Sequence, residues 1–66
     1  MIGKAELHSL YFDELEDLAT EFMGGGDQKI HEEFKKKWKY AHDEGYLRGS
    51  DYTLILYNAL DRVFEK

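Results

Sequence analysis

Phe22-Met23-Gly24-Gly25-Gly26-Asp27-Gln28-Lys29-Ile30 is the stretch whose reading decides the fold. Three consecutive glycines favour the unfolded backbone and tolerate left-handed conformations, so a helix is not expected to continue through them. Asp27, directly behind them, suits a helix N-cap because its carboxylate can accept from the first free backbone N–H groups. The stretch reads as one helix ending, a tight turn, and a second helix beginning.

Upstream, placing residues ~100° apart around an axis gathers Leu7, Tyr11, Phe12, Leu15, Leu18, Ala19 and Phe22 on one arc, with Ala5 and Met23 at its edge. Glu6, Asp13, Asp17 and Glu21 fall opposite, Glu14 lies at their margin, and Leu10 lands among these acids. Downstream, Ile30, Phe34, Trp38 and Ala41 form a narrow apolar stripe, with Tyr40 pointing elsewhere. Gly45 offers a C-cap, and Tyr46 and Leu47 just beyond it are placed to fold back on the helix.

A third helix is expected from Ser50 or Asp51, burying Tyr52, Ile55, Leu56, Ala59, Leu60 and Val63. Leu54 falls on its polar arc beside Asn58, Asp61 and Glu65, and Tyr57 and Phe64 lie at the margin of the buried arc. Tyr52–Tyr57 also has a strand-like composition. A lone strand would have no partner, however, and the helical pattern runs on to Phe64. The fold class expected is all-α: a compact three-helix domain spanning residues 1–66.

The chain has 66 residues, no cysteine and no proline. So short a chain buries only about 60% of the surface its unfolded form exposes. Disulfides, metals or oligomerisation commonly reinforce such scaffolds. The absence of cysteine removes disulfides, thiolate chemistry and cysteine-ligated metals. Self-association is what composition leaves open, and a homodimer is one expectation. The first eight residues lack the apolar stretch of a signal peptide, and Tyr52–Leu60 is far short of the ~20 residues that span a bilayer. The expectation is a cytoplasmic protein with no membrane contact.

Charge is distributed unevenly. Residues 1–26 carry one base, Lys4, against six acids, whereas residues 27–44 and 45–66 each balance, so the net −5 belongs to the first segment. The like-charge pairs Asp13–Asp17 and Asp17–Glu21 each disfavour an isolated helix by ~0.2–0.5 kcal/mol. Glu21 also stands near a helix C-terminus, where the helix dipole disfavours an anion. Lysines packed nearby would make this a merely solvated face. Left open, Glu6, Asp13, Glu14, Asp17 and Glu21 form a docking surface for a basic protein, with Leu10 as apolar anchor. The carboxylates would then imitate DNA phosphates in the cleft of a nucleic-acid-binding partner.

Lys35-Lys36-Lys37-Trp38-Lys39-Tyr40 interleaves bases with aromatics, as nucleic-acid binders do. Glu32–Lys36, Glu33–Lys37 and Lys39–Asp43 are nevertheless spaced for pairing within the helix, and Trp38 falls on the buried stripe. Phosphate contact by Lys35, Lys36 and Lys39 is therefore the weaker reading. His8 belongs to the edge of the core. His31 and His42 share a face but lie ~16 Å apart along a helix, too far for one metal. His31-Glu32 lacks the second histidine of a zinc-protease motif, since position 35 is a lysine. Ser9 and Ser50 have no nucleophile-elbow context, and a convex helix face offers no desolvated cleft to separate two carboxylate pKa values. Asp27 would repel a phosphate from the glycine turn, and no P-loop Lys-Ser/Thr follows it.

No metal, cofactor or catalysis is expected. The functional expectation is a non-catalytic inhibitor, adaptor or regulatory modulator of the phage or mobile-element type, docking through the acids of the first helix. A homodimeric nucleic-acid binder using the lysines of the second helix is the alternative.

Overall fold

The computed structural model describes residues 3–65. Three helices follow in order: α1 (Lys4–Met23), α2 (Gln28–Asp43) and α3 (Gly49–Phe64). The strand-like run Tyr52–Tyr57 lies within α3, and the helical alternative holds.

The glycine turn closes α1 as its sequence implies. Gly26 N–H donates to the Glu21 carbonyl at 2.9 Å and Gly25 N–H to that of Phe22 at 3.2 Å. Two carbonyls at the helix end are thereby satisfied. This geometry requires Gly25 at φ +109°. Gly26 is required for room: a Cβ there would stand 2.6 Å from Ile30 Cδ1 and 2.8 Å from the Glu21 carbonyl oxygen. Asp27 then caps α2, its Oδ1 accepting from the Lys29 N–H at 3.1 Å.

The second turn repeats the device. Tyr46 N–H reaches the Ala41 carbonyl at 2.9 Å across Gly45, whose φ is +83°. Gly45 sits one position beyond the cap residue Glu44. Leu47 is carried back into the core, and Tyr46 stacks on Tyr11 with ring centroids 5.6 Å apart. Helix α3 starts slightly before the expected Ser50 or Asp51. Arg48 is the N-cap residue, and Asp51 serves from inside the first turn, accepting from the Arg48 N–H at 2.8 Å. Arginine has only donors to offer, so only this return half of a capping box can form.

Contacts fix the helix directions. His8 meets Asp51 and Asp17 meets Arg62, so α3 runs parallel to α1. Tyr11 faces Tyr40, Glu14 faces Lys37 and Phe22 faces His31, so α2 runs antiparallel. Helix α1 packs against both neighbours, while the backbones of α2 and α3 approach each other only marginally. Phe34 and Trp38 instead meet Tyr52 edge-on, at 5.9 and 5.0 Å between centroids. The radius of gyration, 11.8 Å, slightly exceeds the ~11 Å expected for this length, in keeping with that splay.

Among the described residues the buried core comprises Leu15, Ala19, Phe34, Ala41, Leu47, Ile55 and Ala59. Phe22 belongs to the expected arc of α1 but is 37% exposed. Tyr52 and Leu60 belong to the expected buried arc of α3 but are 38% and 39% exposed. The reason is rotational. Asn58 and Arg62 are drawn towards Glu16 and Asp17 of α1, which centres the buried side of α3 on Ile55 and Ala59. The Tyr52–Leu60 side is turned outwards.

The two turn glycines should tolerate substitution differently from an open one. Gly26→Ala should cost roughly 1–3 kcal/mol through overpacking, and Gly25→Ala about 1–2 kcal/mol through its left-handed backbone. Gly49→Ala, whose Cβ would meet nothing within 4 Å, should be neutral or stabilising by a few tenths of a kcal/mol. Urea midpoints measured at constant slope would check the order.

Candidate binding surfaces

The outer face of α1 is partly neutralised from within. Lys37 Nζ lies 3.0 Å from Glu14 Oε2, as lysines packed nearby would do. Arg62 is the contribution that sequence reasoning missed. Its Nη1 stands 2.8 Å from Asp17 Oδ1 and 3.2 Å from Glu16 Oε1, and Asn58 adds a 3.3 Å bond to Glu16. The guanidinium is held above its ordinary pKa, first by the hydrogen bond to Asp17. In sequence, Arg62 lies seven residues beyond Ile55, on the same side of its helix. Nothing local reveals that this side faces acids, because that depends on α3 running parallel to α1.

Glu6, Asp13 and Glu21 have no ion-pair partner among the described residues. Leu10 is 51% exposed between them, with Glu6 one turn before it and Asp13 and Glu14 one turn after. The five candidate carboxylates therefore divide: Glu6 and Asp13 free beside Leu10, Glu21 free three turns further along the helix, and Glu14 and Asp17 tied to the protein's own cations.

On α2 the expected i,i+4 pairs do not form. Lys37 reaches across to α1, and Lys35, Lys36 and Lys39 have no carboxylate within 4.0 Å among the described residues. Trp38 is half-buried, as its stripe implied, and stacks on His42 at 5.3 Å. His31 stacks on Phe22 at 4.8 Å. Both imidazoles cover aromatic surface.

The splay of α2 and α3 opens an apolar groove on the side away from the acids of α1. One end is a depression of ≈ 570 Å³ lined by Phe34, Lys35, Trp38, Lys39, Gly49 and Tyr52. A smaller one of ≈ 120 Å³ lies between Phe22, His31, Phe34, Tyr52 and Leu56. A third, ≈ 350 Å³, lies over Tyr52, Thr53, Leu56, Tyr57 and Leu60. No carboxylate lines any of the three, in a chain that has 14 acids.

On another side of the N-terminus of α3 the first turns of α1 and α3 lie side by side, around a depression of ≈ 470 Å³ with Lys4, His8, Arg48 and Asp51 in its lining. His8 Nε2 is 3.3 Å from Asp51 Oδ1, and the His8 ring lies 5.9 Å from Phe12. The imidazole is thus a partnered residue at the edge of the core. Asp51 is held below its ordinary value of 3.8, chiefly because the Arg48 N–H donates to it. Partial burial acts in the opposite sense, and the hydrogen bond with His8 lowers it further.

No family model matches this chain, and neither a curated protein nor a solved structure resembles it significantly.

The lowered pKa of Asp51 fixes the sign of a pH effect. A depressed carboxyl contributes stability that is complete above its unfolded value, near 3.8, and is lost as pH falls towards the lower native value. Asp51→Asn should therefore be less stable than wild type at neutral pH, with the gap closing as pH drops below about 4. Urea unfolding across that window would show it, and a constant gap would contradict it.

Proposed function

We propose that this chain is a non-catalytic protein-binding domain that docks a basic partner on the outer face of α1, as an inhibitor, adaptor or regulatory modulator. The exposure of Leu10 among unpaired carboxylates carries the reading. An apolar side chain within a charged rim gives an interface both an anchor and a steering field. The unpaired Glu6, Asp13 and Glu21 recur about two turns apart, ~10–12 Å, a row of negative charge of the kind a nucleic-acid-binding protein meets in its ligand. A nucleic-acid-binding protein, met by mimicry of DNA, is accordingly the partner class.

Glu6→Gln, Asp13→Asn and Glu21→Gln together remove three charges without touching the contacts of Glu14 with Lys37 or of Glu16 and Asp17 with Arg62. Immobilised wild type should retain a specific basic protein from the host and release it as salt rises past about 0.15 M, where the Debye length is ~8 Å. The triple variant and Leu10→Lys should each lose that retention while keeping wild-type helix content. Retention by the triple variant at wild-type level would rule out the reading.

The free lysines of α2 favour a second reading, a homodimeric nucleic-acid binder using Lys35, Lys36 and Lys39. Labelled DNA and RNA at low salt test it by fluorescence anisotropy. Binding that falls when the three lysines become glutamine is expected, and no binding by wild type would eliminate it.

A further inference from the structure

Thr53, Tyr57, Leu60 and Phe64 are spaced 4, 3 and 4 along α3, the interval at which one helix presents a seam to another. All four are exposed, Tyr57 by 63% and Phe64 by 80%. Nothing among the described residues covers them. Leu56 and Tyr52 flank the seam on the α2 side and continue it into the groove.

The spacing reads the same in both directions. Turning the helix end over end about a point between residues 58 and 59 exchanges Thr53 with Phe64 and Tyr57 with Leu60. A second copy laid antiparallel would thus oppose the ring of Phe64 to Thr53, the smallest side chain of the seam, and the ring of Tyr57 to Leu60. It would also bring each Phe64 beside the other copy's Tyr52, at the mouth of the depression under Trp38. We infer that the chain forms an isologous dimer through α3, with Tyr57 and Leu60 of each copy at its centre and Phe64 against Thr53 on either flank.

Charge and area agree with a second copy as the occupant. The four seam side chains are uncharged, Asp61 borders them on one edge, and the α1 carboxylates nearest α3, Glu16 and Asp17, are held by Arg62 and Asn58, so the like charge brought together across the seam is limited to the Asp61 pair. With ~200 Å² for a large side chain, the exposed parts of Phe22, Tyr52, Tyr57, Leu60 and Phe64 amount to roughly 500 Å². A standard interface uses ~800 Å² per partner. Trp38, Leu56 and the stems of Lys35 and Lys39 border the same surface and would extend it. A patch of this size is at the upper end of what monomers leave exposed.

Sedimentation velocity from micromolar to near-millimolar loading should show a reversible monomer–dimer equilibrium that persists or strengthens at high salt. Tyr57→Lys and Leu60→Lys should each raise the dissociation constant by at least about tenfold, with helix content unchanged because both side chains are exposed. Leu10→Lys should leave the dimer intact, which separates this result from any loss of partner docking on α1. The chain has no cysteine of its own, so single cysteines report orientation. Thr53→Cys mixed with Phe64→Cys should give the cross-linked pair on oxidation. Neither alone should, because like positions would stand ~16 Å apart along the helices, beyond disulfide reach. A monomeric wild type would overturn the inference. So would a dimer dissolved by salt, as contact between α1 acids and α2 lysines would be, or efficient cross-linking of Thr53→Cys to itself.

Discussion

One helix serving two others is the constraint on which the rest depends. Helix α1 is the shared neighbour of α2 and α3, which hardly approach each other. Each helix contributes one buried alanine, Ala19, Ala41 and Ala59, and small residues let packed helices come close. Between α2 and α3 the contact is instead made by Phe34, Trp38 and Tyr52, rings too large for close backbone approach. Edge-on pairs of this kind add ~0.5–1.5 kcal/mol beyond burial, enough to hold the splay but not to close it. The open groove follows from where the small and large side chains fall.

The same arrangement governs the charges. With α3 parallel to α1, Arg62 is level with Asp17 and Glu16 and takes up two of the six acids of the first segment. Lys37 takes a third from the other side. These exposed pairs add little stability individually. Their larger effect is to choose which carboxylates remain free. Repulsion around Asp17 is relieved, whereas Asp13 and Glu21 keep their charge on the solvent side, around Leu10 and beyond it.

Much of this was legible in local sequence because the causes are local. Gly25 and Gly45 stand where a helix end needs positive φ, Asp27 where one needs an acceptor, and Leu47 where the chain doubles back. The stripe on α2 and the arc on α1 are periodicities of single elements. What could not be read from one helix at a time is what depends on two. Tyr52 and Leu60 turn outwards because Arg62 and Asn58 seek acids 45 and 42 residues away. Lys37 leaves Glu33 for Glu14, since a carboxylate across a helix interface competes with one on the same face. The acidic face was likewise legible as a pattern, but which of its members are matched internally is a tertiary fact.

The separation of the acidic and apolar flanks has a quantitative consequence. Two copies joined through α3 would carry −5 each, with the acid faces about 40 Å apart given a molecular width of 21–23 Å. Unscreened in water, that repulsion is about 2–3 kcal/mol. At physiological ionic strength the Debye length is ~8 Å, and five such lengths reduce it to a few hundredths of a kcal/mol. Asp61 is the one acid of α3 that borders the seam; were the whole net charge placed there, within one Debye length of its copy, it would oppose association by several kcal/mol. The two flanks can therefore act independently, one presenting carboxylates to a cationic partner while the other is covered by a second copy. Pairing would place two acidic faces on opposite sides of one particle, so a basic partner with two equivalent sites would bind more tightly than either face alone allows, provided its sites span that distance.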